Sequence, residues 1–222
     1  QGDVRVKHQT LSSAEAFTPD AISNRRFSLY SSFVKPLSDA ALSLLLLPVL
    51  MVCTVLLMML NPFFNKGPLF FVQTRMGRDC KAFKAIKFRT MRPTGRVVRG
   101  ADDPLERDRI TPLGHVLRRS RIDELPQILN VLRGEMSLIG PRPDFFHHAR
   151  RYVRTVPGYR RRHAVRPGIS GLAQTDLGYT ATTDATRLKV RLDLHYVQNQ
   201  SLALDAYIFW RTLVTVFRRK GC

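Results

Sequence analysis

The chain has 222 residues, 44% of them apolar, so it can form one domain with a hydrophobic core and a membrane element but little more. Its 36 lysines and arginines exceed its 17 aspartates and glutamates. The net charge of +19 indicates a partner that carries phosphate, in nucleic acid, lipid headgroups or nucleotides. None of the three cysteines belongs to a Cys-x-x-Cys pair, which argues against a zinc or dithiol site and predicts a reducing, cytoplasmic environment.

An apolar segment follows residues 1–30, which we interpret as a polar tail. The twenty-one residues from Ala40 to Leu60 carry no charge, and a helix of that length reaches roughly 30 Å, the thickness of a membrane's hydrocarbon core. Pro48, near the middle, predicts a kink or a break. Basic residues flank both ends, and such flanks prefer the cytoplasm. We therefore predict a re-entrant membrane helix over residues 31–65, with a single-pass anchor as the alternative.

Two short apolar runs, residues 67–77 and 81–91, follow the membrane segment. The polar residues 78–80 separate them, which predicts a β-hairpin close to the membrane. Residues 92–109 are rich in charge, glycine and proline, and we expect a loop there. Together with the helices predicted farther along, this pattern predicts an α+β, mainly helical fold, with residues 66–222 as a small cytoplasmic domain.

The segment from Leu113 to Gly134 contains an acidic pair at the start of a predicted helix. Apolar residues recur there at the interval of a buried helix face, namely Leu125, Ile128, Leu129 and Leu132. Gly134 is a suitable stop, Pro126 falls in the first turn, and Asp123 falls at the capping position. We therefore expect the positive end of the helix to favour the ionised forms of Asp123 and Glu124.

Arginines surround this acidic pair in the sequence, namely Arg118, Arg119 and Arg121. An ionised carboxylate among arginines can act as a nucleophile or as a magnesium ligand, and both roles suit phosphoryl transfer. The alternative is an ordinary helix cap with surface salt bridges.

Two further arginines lie beside prolines, Arg142 between Pro141 and Pro143 and Arg166 before Pro167. Proline stiffens the backbone, so each guanidinium loses little entropy on binding phosphate, and we interpret both as phosphate clamps. The residues 168–171 resemble a tight turn where backbone could approach a ligand closely.

The last third of the chain is basic and then amphipathic. A run of arginines could face anionic lipid or simply aid solubility; it comprises Arg150, Arg151, Arg154, Arg160, Arg161 and Arg162. We interpret His147, His148 and His163 as surface residues rather than metal ligands. An apolar stripe of helical spacing from Leu202 to Phe217, which includes Trp210, ends in basic residues. It could lie in the headgroup layer as an interfacial amphipathic helix or pack on the core.

Four motifs in series resemble the bacterial sugar transferase family, the monotopic phosphoglycosyl transferases, over residues 33–219. They are the runs Lys87 to Met91, Ile122 to Gln127, Leu132 to Pro143 and Arg166 to Gln174. The resemblance implies a re-entrant membrane helix, interfacial helices and a small catalytic domain at the cytoplasmic face of the bacterial inner membrane. It implies UDP-sugar and polyprenyl phosphate as substrates and anionic membrane lipid as surroundings. It gives no role to nucleic acid and leaves the oligomeric state open, homo-oligomers included.

The resemblance also implies a covalent mechanism. The residue that matches Asp123 attacks the β-phosphate of the UDP-sugar, releases UMP and carries the sugar phosphate until polyprenyl phosphate collects it. Mg²⁺ at Asp123 offsets charge repulsion, Glu124 is the other member of the catalytic pair, and Lys87, Arg118 and Arg142 match phosphate-binding positions. Such cations around one carboxylate pair suit a reaction that depends on positioning and charge stabilisation.

Two departures from the family pattern and two rival functions remain. Leu47 precedes Pro48 where many members have serine, and the residues 175–180 replace an Asn-Gly-Arg-Asn-like loop, so we expect nucleotide or sugar selection to differ. One rival is a membrane-anchored nucleic-acid or anionic-lipid binding protein without catalysis. The other is an inactive family member that serves as a scaffold, which the intact acidic pair disfavours.

Overall fold

The computed structural model describes residues 29–93, 106–177 and 183–217. The predicted tail over residues 1–28, most of the predicted loop at 92–109, the end of the loop at 175–180 and the basic residues 218–220 lie outside these ranges. The regular elements of the described part are α1 Lys35–Phe64, β1 Phe70–Met76, β2 Ala82–Phe88, α2 Pro112–Ser120, α3 Ile128–Leu132, β3 Ser137–Ile139, α4 Phe146–Thr155, β4 Gly168–Ser170, α5 Leu172–Leu177, α6 Thr183–Gln198 and α7 Leu202–Phe217. The prediction of a mainly helical fold with a short hairpin is confirmed.

The apolar segment forms one helix that is not broken at Pro48. A π-helical turn over Tyr30–Val34 leads into α1, and this continuous stretch is long and apolar enough to cross a membrane. The continuous helix therefore contradicts a break at Pro48, and a kink there stays a prediction. Proline removes one backbone donor, but the neighbouring Leu47 and Leu50 pack onto the rest of the protein, and this packing supports the helix near Pro48. The re-entrant path through a membrane stays a prediction.

Buried charges connect the first half of α1 to the rest of the protein. The Nζ of Lys35 lies 2.6 Å from Oδ2 of Asp205 in α7. One turn farther, Asp39 accepts hydrogen bonds from the Oγ of Ser137 at 2.6 Å and from the backbone N–H of Leu138 at 3.3 Å. These side chains are buried, so their pairing is required to offset the cost of removing charge from water.

The second half of α1 uses the same face for apolar packing. Leu50 and Leu57 are buried against Phe88, Leu117 and Ile128. The opposite face carries large apolar side chains that are exposed; examples are Leu45, Met51, Val52, Val55, Leu56, Met59 and Phe63. The helix therefore presents a continuous apolar surface to its surroundings along most of its length.

The predicted hairpin is confirmed as an antiparallel pair of β1 and β2. The register places Phe71 opposite Lys87 and Met76 opposite Ala82. The connection contains Asp79 and Cys80 in the left-handed region, with φ of 55° and 60°. Because side chains alternate along a strand, Lys87 shares one face of the hairpin with Phe83 and Ala85, while Phe88 lies on the other face and packs against α1.

The strands next to the two proline-arginine motifs pair as a parallel ribbon, with Arg142 after β3 and Arg166 before β4. In it, β3 pairs with β4, and Gly140 N donates to the carbonyl of Ser170 at 2.8 Å. A Cβ on Gly168 would lie 2.1 Å from Gly140 N, so only glycine permits this spacing. The prediction of a tight ligand-binding turn at residues 168–171 is therefore wrong at Gly168–Ser170, because this backbone is a short strand that packs against the other motif.

The first half of the predicted apolar stripe of the C-terminal helix α7 faces outward, whereas Leu213 and Val216 are half-buried. Leu202 and Trp210 are 63% and 65% exposed, and Phe209 is also exposed. Ile208 and Asp205, on another face, are the buried side chains that dock α7 onto the core. This arrangement favours the interfacial interpretation of the stripe over packing on the core.

Candidate active site

Asp123 does not cap an α-helix, contrary to the sequence-based prediction. Helix α2 ends at Ser120, Arg121 adopts a left-handed conformation with φ of 57°, and a 3-10 helix then spans Ile122–Gln127. The reversal at Arg121 separates α2 from this 3-10 helix. Asp123 and Glu124 therefore lie in the first turn of a 3-10 helix.

The predicted helix after the acidic pair is also shorter than its apolar pattern indicates. It is reduced to α3, and the predicted stop at Gly134 is confirmed by its φ of 75°. Ile128 is buried as predicted, but Leu132 is 36% exposed. The tight 3-10 turns rotate the chain, so the 3.6-residue period does not extend across Pro126.

Glu124 is the structural centre of the site. Its Oε1 lies 2.5 Å from Nζ of Lys87, its Oε2 accepts from Nη1 of Arg142 at 3.0 Å, and Arg142 Nη2 also donates to Oε1. Nη1 of Arg121 is 4.0 Å away. Burial alone would raise the pKa of this carboxyl, but the charges and hydrogen bonds of Arg142 and Lys87 hold its pKa well below the usual range.

The surroundings of Asp123 differ from those of Glu124. Among the described residues, no group donates a hydrogen bond to its carboxylate, although its side chain is largely buried. Burial and the neighbouring charge of Glu124 raise the pKa of Asp123 to about 6, against the opposing charges of Lys87, Arg142 and Arg118. The expectation that both carboxyls favour the ionised form is therefore wrong for Asp123 and holds for Glu124.

Three of the four cations predicted to bind phosphate come from three separate elements and meet at this pair. Lys87 is supplied by β2, Arg118 by α2 and Arg142 by the segment after β3, and all three act electrostatically on Asp123. Burial lowers the pKa of Lys87 to about 8, despite the nearby charge of Glu124. The site thus holds an excess of positive charge next to one carboxylate that is not hydrogen-bonded within the described chain.

The start of α2 explains the position of Arg118. Thr111 caps the helix by accepting a hydrogen bond from Gly114 N at 3.0 Å. A Cβ on Gly114 would lie 2.0 Å from the carbonyl oxygen of Thr90, so glycine lets the helix approach this backbone. The Nε of Arg118 then donates to Oγ1 of Thr90 at 2.8 Å, which fixes the guanidinium near the acidic pair.

A fully buried arginine supports the segment that carries Arg142. The Nη2 of Arg162 donates to the carbonyl of Arg142 at 2.6 Å, its Nη1 to Asp144 at 2.7 Å and its Nε to Asp193 at 2.8 Å. Its side chain has no exposed surface. Arg162 therefore does not belong to a lipid-facing or solubilising run, because internal carboxylates pair with it; the exposed members are Arg150, Arg151, Arg154, Arg160 and Arg161.

His163 is likewise buried, so its interpretation as a surface residue is wrong. Its Nδ1 lies 3.0 Å from the carbonyl oxygen of Gly77, and the ring contacts Tyr159. Burial, reinforced by the charge of Arg162, lowers the pKa of His163 to about 3. It is therefore a neutral core residue at physiological pH. His147 is exposed, as predicted, and His148 is half-buried.

Arg166 is the one predicted phosphate ligand that the described chain does not join to the pair. Its guanidinium lies beside Gly134, and no hydrogen bond or ion pair within the described ranges connects it to Asp123 or Glu124. By contrast Gln174 reaches the site. With its amide oxygen turned toward the arginines, it accepts from Arg142 Nη1 at 3.2 Å and from Arg121.

Magnesium fits the donor set if the substrate completes its coordination. In the described ranges, no three His, Cys, Asp or Glu side chains form a metal-binding cluster. Mg²⁺ commonly takes one or two carboxylates, with waters and substrate phosphates as the remaining ligands. Asp123 is available for this role because its carboxylate accepts no hydrogen bond from the described residues, whereas the oxygens of Glu124 are already engaged by Lys87 and Arg142.

Comparison with known proteins places these residues in context. The family model described as bacterial sugar transferase matches residues 30–219. A UDP-N-acetylgalactosamine-undecaprenyl-phosphate N-acetylgalactosaminephosphotransferase of Aeromonas hydrophila is 41% identical over 86% of this chain and 45% of its own length. The exopolysaccharide production protein PSS of Rhizobium leguminosarum bv. phaseoli is 40% identical over 90% of this chain and 98% of its own length. A UDP-glucose:undecaprenyl-phosphate glucose-1-phosphate transferase of Escherichia coli K12 is 40% identical over 82% of this chain and 39% of its own length. The chain thus spans less than half of two of these relatives and nearly all of the third.

Proposed function

The chain belongs to the bacterial sugar transferase family, and on that premise we propose that it transfers a sugar 1-phosphate from a UDP-sugar to undecaprenyl phosphate, the first step in building an exported polysaccharide. The main support for this proposal is that two adjacent carboxylates differ in their contacts and in their pKa. Glu124 is bound by cations, while Asp123 accepts no hydrogen bond from the described residues and has a pKa raised to about 6. The relatives named for UDP-sugar and undecaprenyl phosphate support the choice of substrates.

The proposed reaction has two displacements at the same phosphorus atom. In the first, an oxygen of the ionised Asp123 attacks the β-phosphorus, and the bond from this phosphorus to the oxygen bridging the α-phosphate breaks. UMP leaves with that electron pair, and an aspartyl phosphosugar remains. In the second, a phosphate oxygen of undecaprenyl phosphate attacks the β-phosphorus. The bond to Asp123 breaks, which restores the carboxylate and releases undecaprenyl diphosphate sugar.

The cations of the site supply binding and charge stabilisation. Lys87, Arg118 and Arg142 would hold the phosphate oxygens, and the rigid ribbon behind Arg142 keeps its guanidinium in place. Glu124 would set the spacing between Lys87 and Arg142, because it bonds to both. Mg²⁺ bound at Asp123 and the diphosphate would neutralise negative charge between nucleophile and substrate. Arg166 stays a proposed phosphate ligand. A substrate bound at the acidic pair would have to extend to its guanidinium beside Gly134.

We also propose that the protein sits at the cytoplasmic face of the inner membrane, with α1 re-entrant. The face of α1 that packs on the domain extends from Lys35 to Leu57, about 33 Å at 1.5 Å per residue. A helix that crossed the bilayer would keep its central residues in hydrocarbon, away from a domain in water. The exposed stripe of α7 and the five exposed arginines named above would face the headgroup layer and its anionic lipids.

Mass spectrometry of the intact protein tests the mechanism. The purified full chain in detergent is incubated with Mg²⁺ and each of a panel of UDP-sugars, without lipid acceptor. We expect UMP release and a mass increase equal to one sugar phosphate, located by peptide mapping on Asp123. Addition of undecaprenyl phosphate then removes the adduct.

Matched variants separate this chemistry from damage to the fold. Asp123→Asn, which is isosteric, should form no adduct and keep the thermal unfolding midpoint, while Asp108→Asn, at an exposed position, should behave as the wild type. A chain that turns over substrate without modification of Asp123 would disprove the covalent assignment. Absence of any sugar-phosphate transfer, together with salt-sensitive nucleic-acid binding, would favour the non-catalytic alternative.

A further inference from the structure

Three consecutive apolar residues at the start of β1 are exposed. Phe70, Phe71 and Val72 are consecutive, apolar and each between 41% and 51% exposed. They begin six residues after α1 ends at Phe64, which is itself exposed, so exposed apolar residues recur in this part of the chain. Exposed apolar surface of this extent marks a contact with lipid or with an apolar ligand.

Phe71 differs from its neighbours because it shares a hairpin face with the phosphate-binding cations. It lies opposite Lys87 in the register, and side chains of directly opposed residues stand roughly 4.5 to 5.5 Å apart at Cβ, on the same face. The Nζ of Lys87 in turn contacts Glu124. Val72 and Phe70 point to the other face, where the ring of Phe70 stacks on that of Phe88 with centroids 5.4 Å apart.

The face that carries Phe71 changes from apolar to polar along β1. After Phe71 come Gln73 and Arg75 on the same side, and Arg75 Nη1 donates to the carbonyl of Pro143, next to Arg142. An exposed aromatic ring at the membrane end and cations at the inner end match an amphiphile with an anionic head. The acceptor in the proposed reaction is such a molecule, because it joins an isoprenoid to a phosphate.

From this geometry we propose that Phe71 is a binding residue for the acceptor lipid and contacts the isoprene units next to the phosphate. The inference rests on the proposed function. The exposed apolar side chains near it in the sequence, Phe64, Phe70 and Val72, favour a lipid over the uracil ring of the donor, which would approach from water. The acceptor phosphate would replace departing UMP near Lys87, with its chain leaving the site across Phe71 toward the membrane.

Two half-reactions measured on the full chain in detergent separate the possible roles. UMP release without acceptor reports the donor, and product formation reports the acceptor, supplied either as undecaprenyl phosphate or as a short, water-soluble two-isoprene phosphate. Phe71→Ser should raise KM for both acceptors by about tenfold or more, since a contact with the first isoprene units is lost in each. UMP release should stay within about twofold of the wild type.

The adjacent residue supplies the matched control. Val72→Ser removes a similarly exposed apolar side chain from the opposite face and should leave both acceptor KM values unchanged, and Phe71→Leu should restore most of the affinity. Equal effects of Phe71→Ser and Val72→Ser, or an effect on vesicle binding alone, would overturn the proposal in favour of general membrane anchoring. A raised KM for the UDP-sugar would assign Phe71 to the nucleotide instead. If the wild type released no UMP, the proposed function itself would fail.

Discussion

The two perturbed pKa values of the site predict a bell-shaped dependence of UMP release on pH. A protonated carboxyl cannot attack phosphorus, so kcat/KM should fall as pH drops through the pKa of Asp123, about 6. Loss of the charge on Lys87 weakens phosphate binding, so kcat/KM should also fall as pH rises through the pKa of Lys87, about 8. At one pH unit beyond either flank about a tenth of the active form remains, which gives a loss of about tenfold.

The assay should follow the donor half-reaction alone. Phosphate monoesters such as the acceptor titrate near pH 6 and would mask the acid flank, whereas the diphosphate of the UDP-sugar does not ionise in this range. Rates of UMP release at low UDP-sugar concentration, without acceptor, give kcat/KM from pH 5 to 9. Lys87→Arg is the informative variant, because a guanidinium keeps its charge and the alkaline flank should disappear while the acid flank stays. A kcat/KM that stays nearly constant from pH 7 down to pH 5, as an aspartate with the ordinary pKa of about 3.9 would give, would refute the reasoning.

Three further predictions concern stability, membrane binding and metal. Arg162→Ala leaves Asp193 buried without its ion-pair partner and removes one of the two cations on Asp144, the other being Lys189. It should lower the free energy of unfolding by about 3 to 5 kcal/mol, measured by denaturation in detergent, while the exposed Arg160→Ala should change it by less than about 0.5 kcal/mol. Trp210→Ser should weaken binding to anionic vesicles in a flotation assay, and unchanged flotation would contradict an interfacial α7. Chelation by EDTA should stop UMP release and added Mg²⁺ should restore it; release that persists in EDTA would argue against the metal.

Local sequence patterns predicted the elements that depend on near neighbours. The hairpin followed from two apolar runs and a polar connection, and Gly134 ended a helix as its residue type indicates. The predicted break at Pro48 does not occur. The sequence could not show that Leu47 and Leu50 pack against residues far away in the chain. Tertiary packing outweighed the local tendency of proline.

The site was predicted to the extent that its residues lie in compact motifs. Lys87, Arg118 and Arg142 do converge on the acidic pair, but nothing in the linear pattern distinguished Glu124 as the residue bound by cations from Asp123 as the one left without a hydrogen bond. That difference arises from which oxygens face which cations after the 3-10 turn, and it appears only when separate elements meet.

Buried partners explain the remaining errors. Arg162 and His163 follow exposed arginines in sequence and were assigned to the same surface, yet both lie in the interior. Their acceptors, Asp193 and the carbonyl of Gly77, are 31 and 86 positions away. Gln174 was quoted within a motif, but its contact with Arg121 depends on the left-handed turn at that residue, which the sequence did not signal.

The buried ion pairs of α1 affect how this protein can be handled. A shortened protein made by deleting the membrane helix would remove Lys35 from Asp205 and Asp39 from Ser137 and Leu138. It would also expose to water the apolar residues that pack against Leu50 and Leu57. Water-soluble versions are therefore better sought by replacing the outward side chains of the helix than by cutting it away.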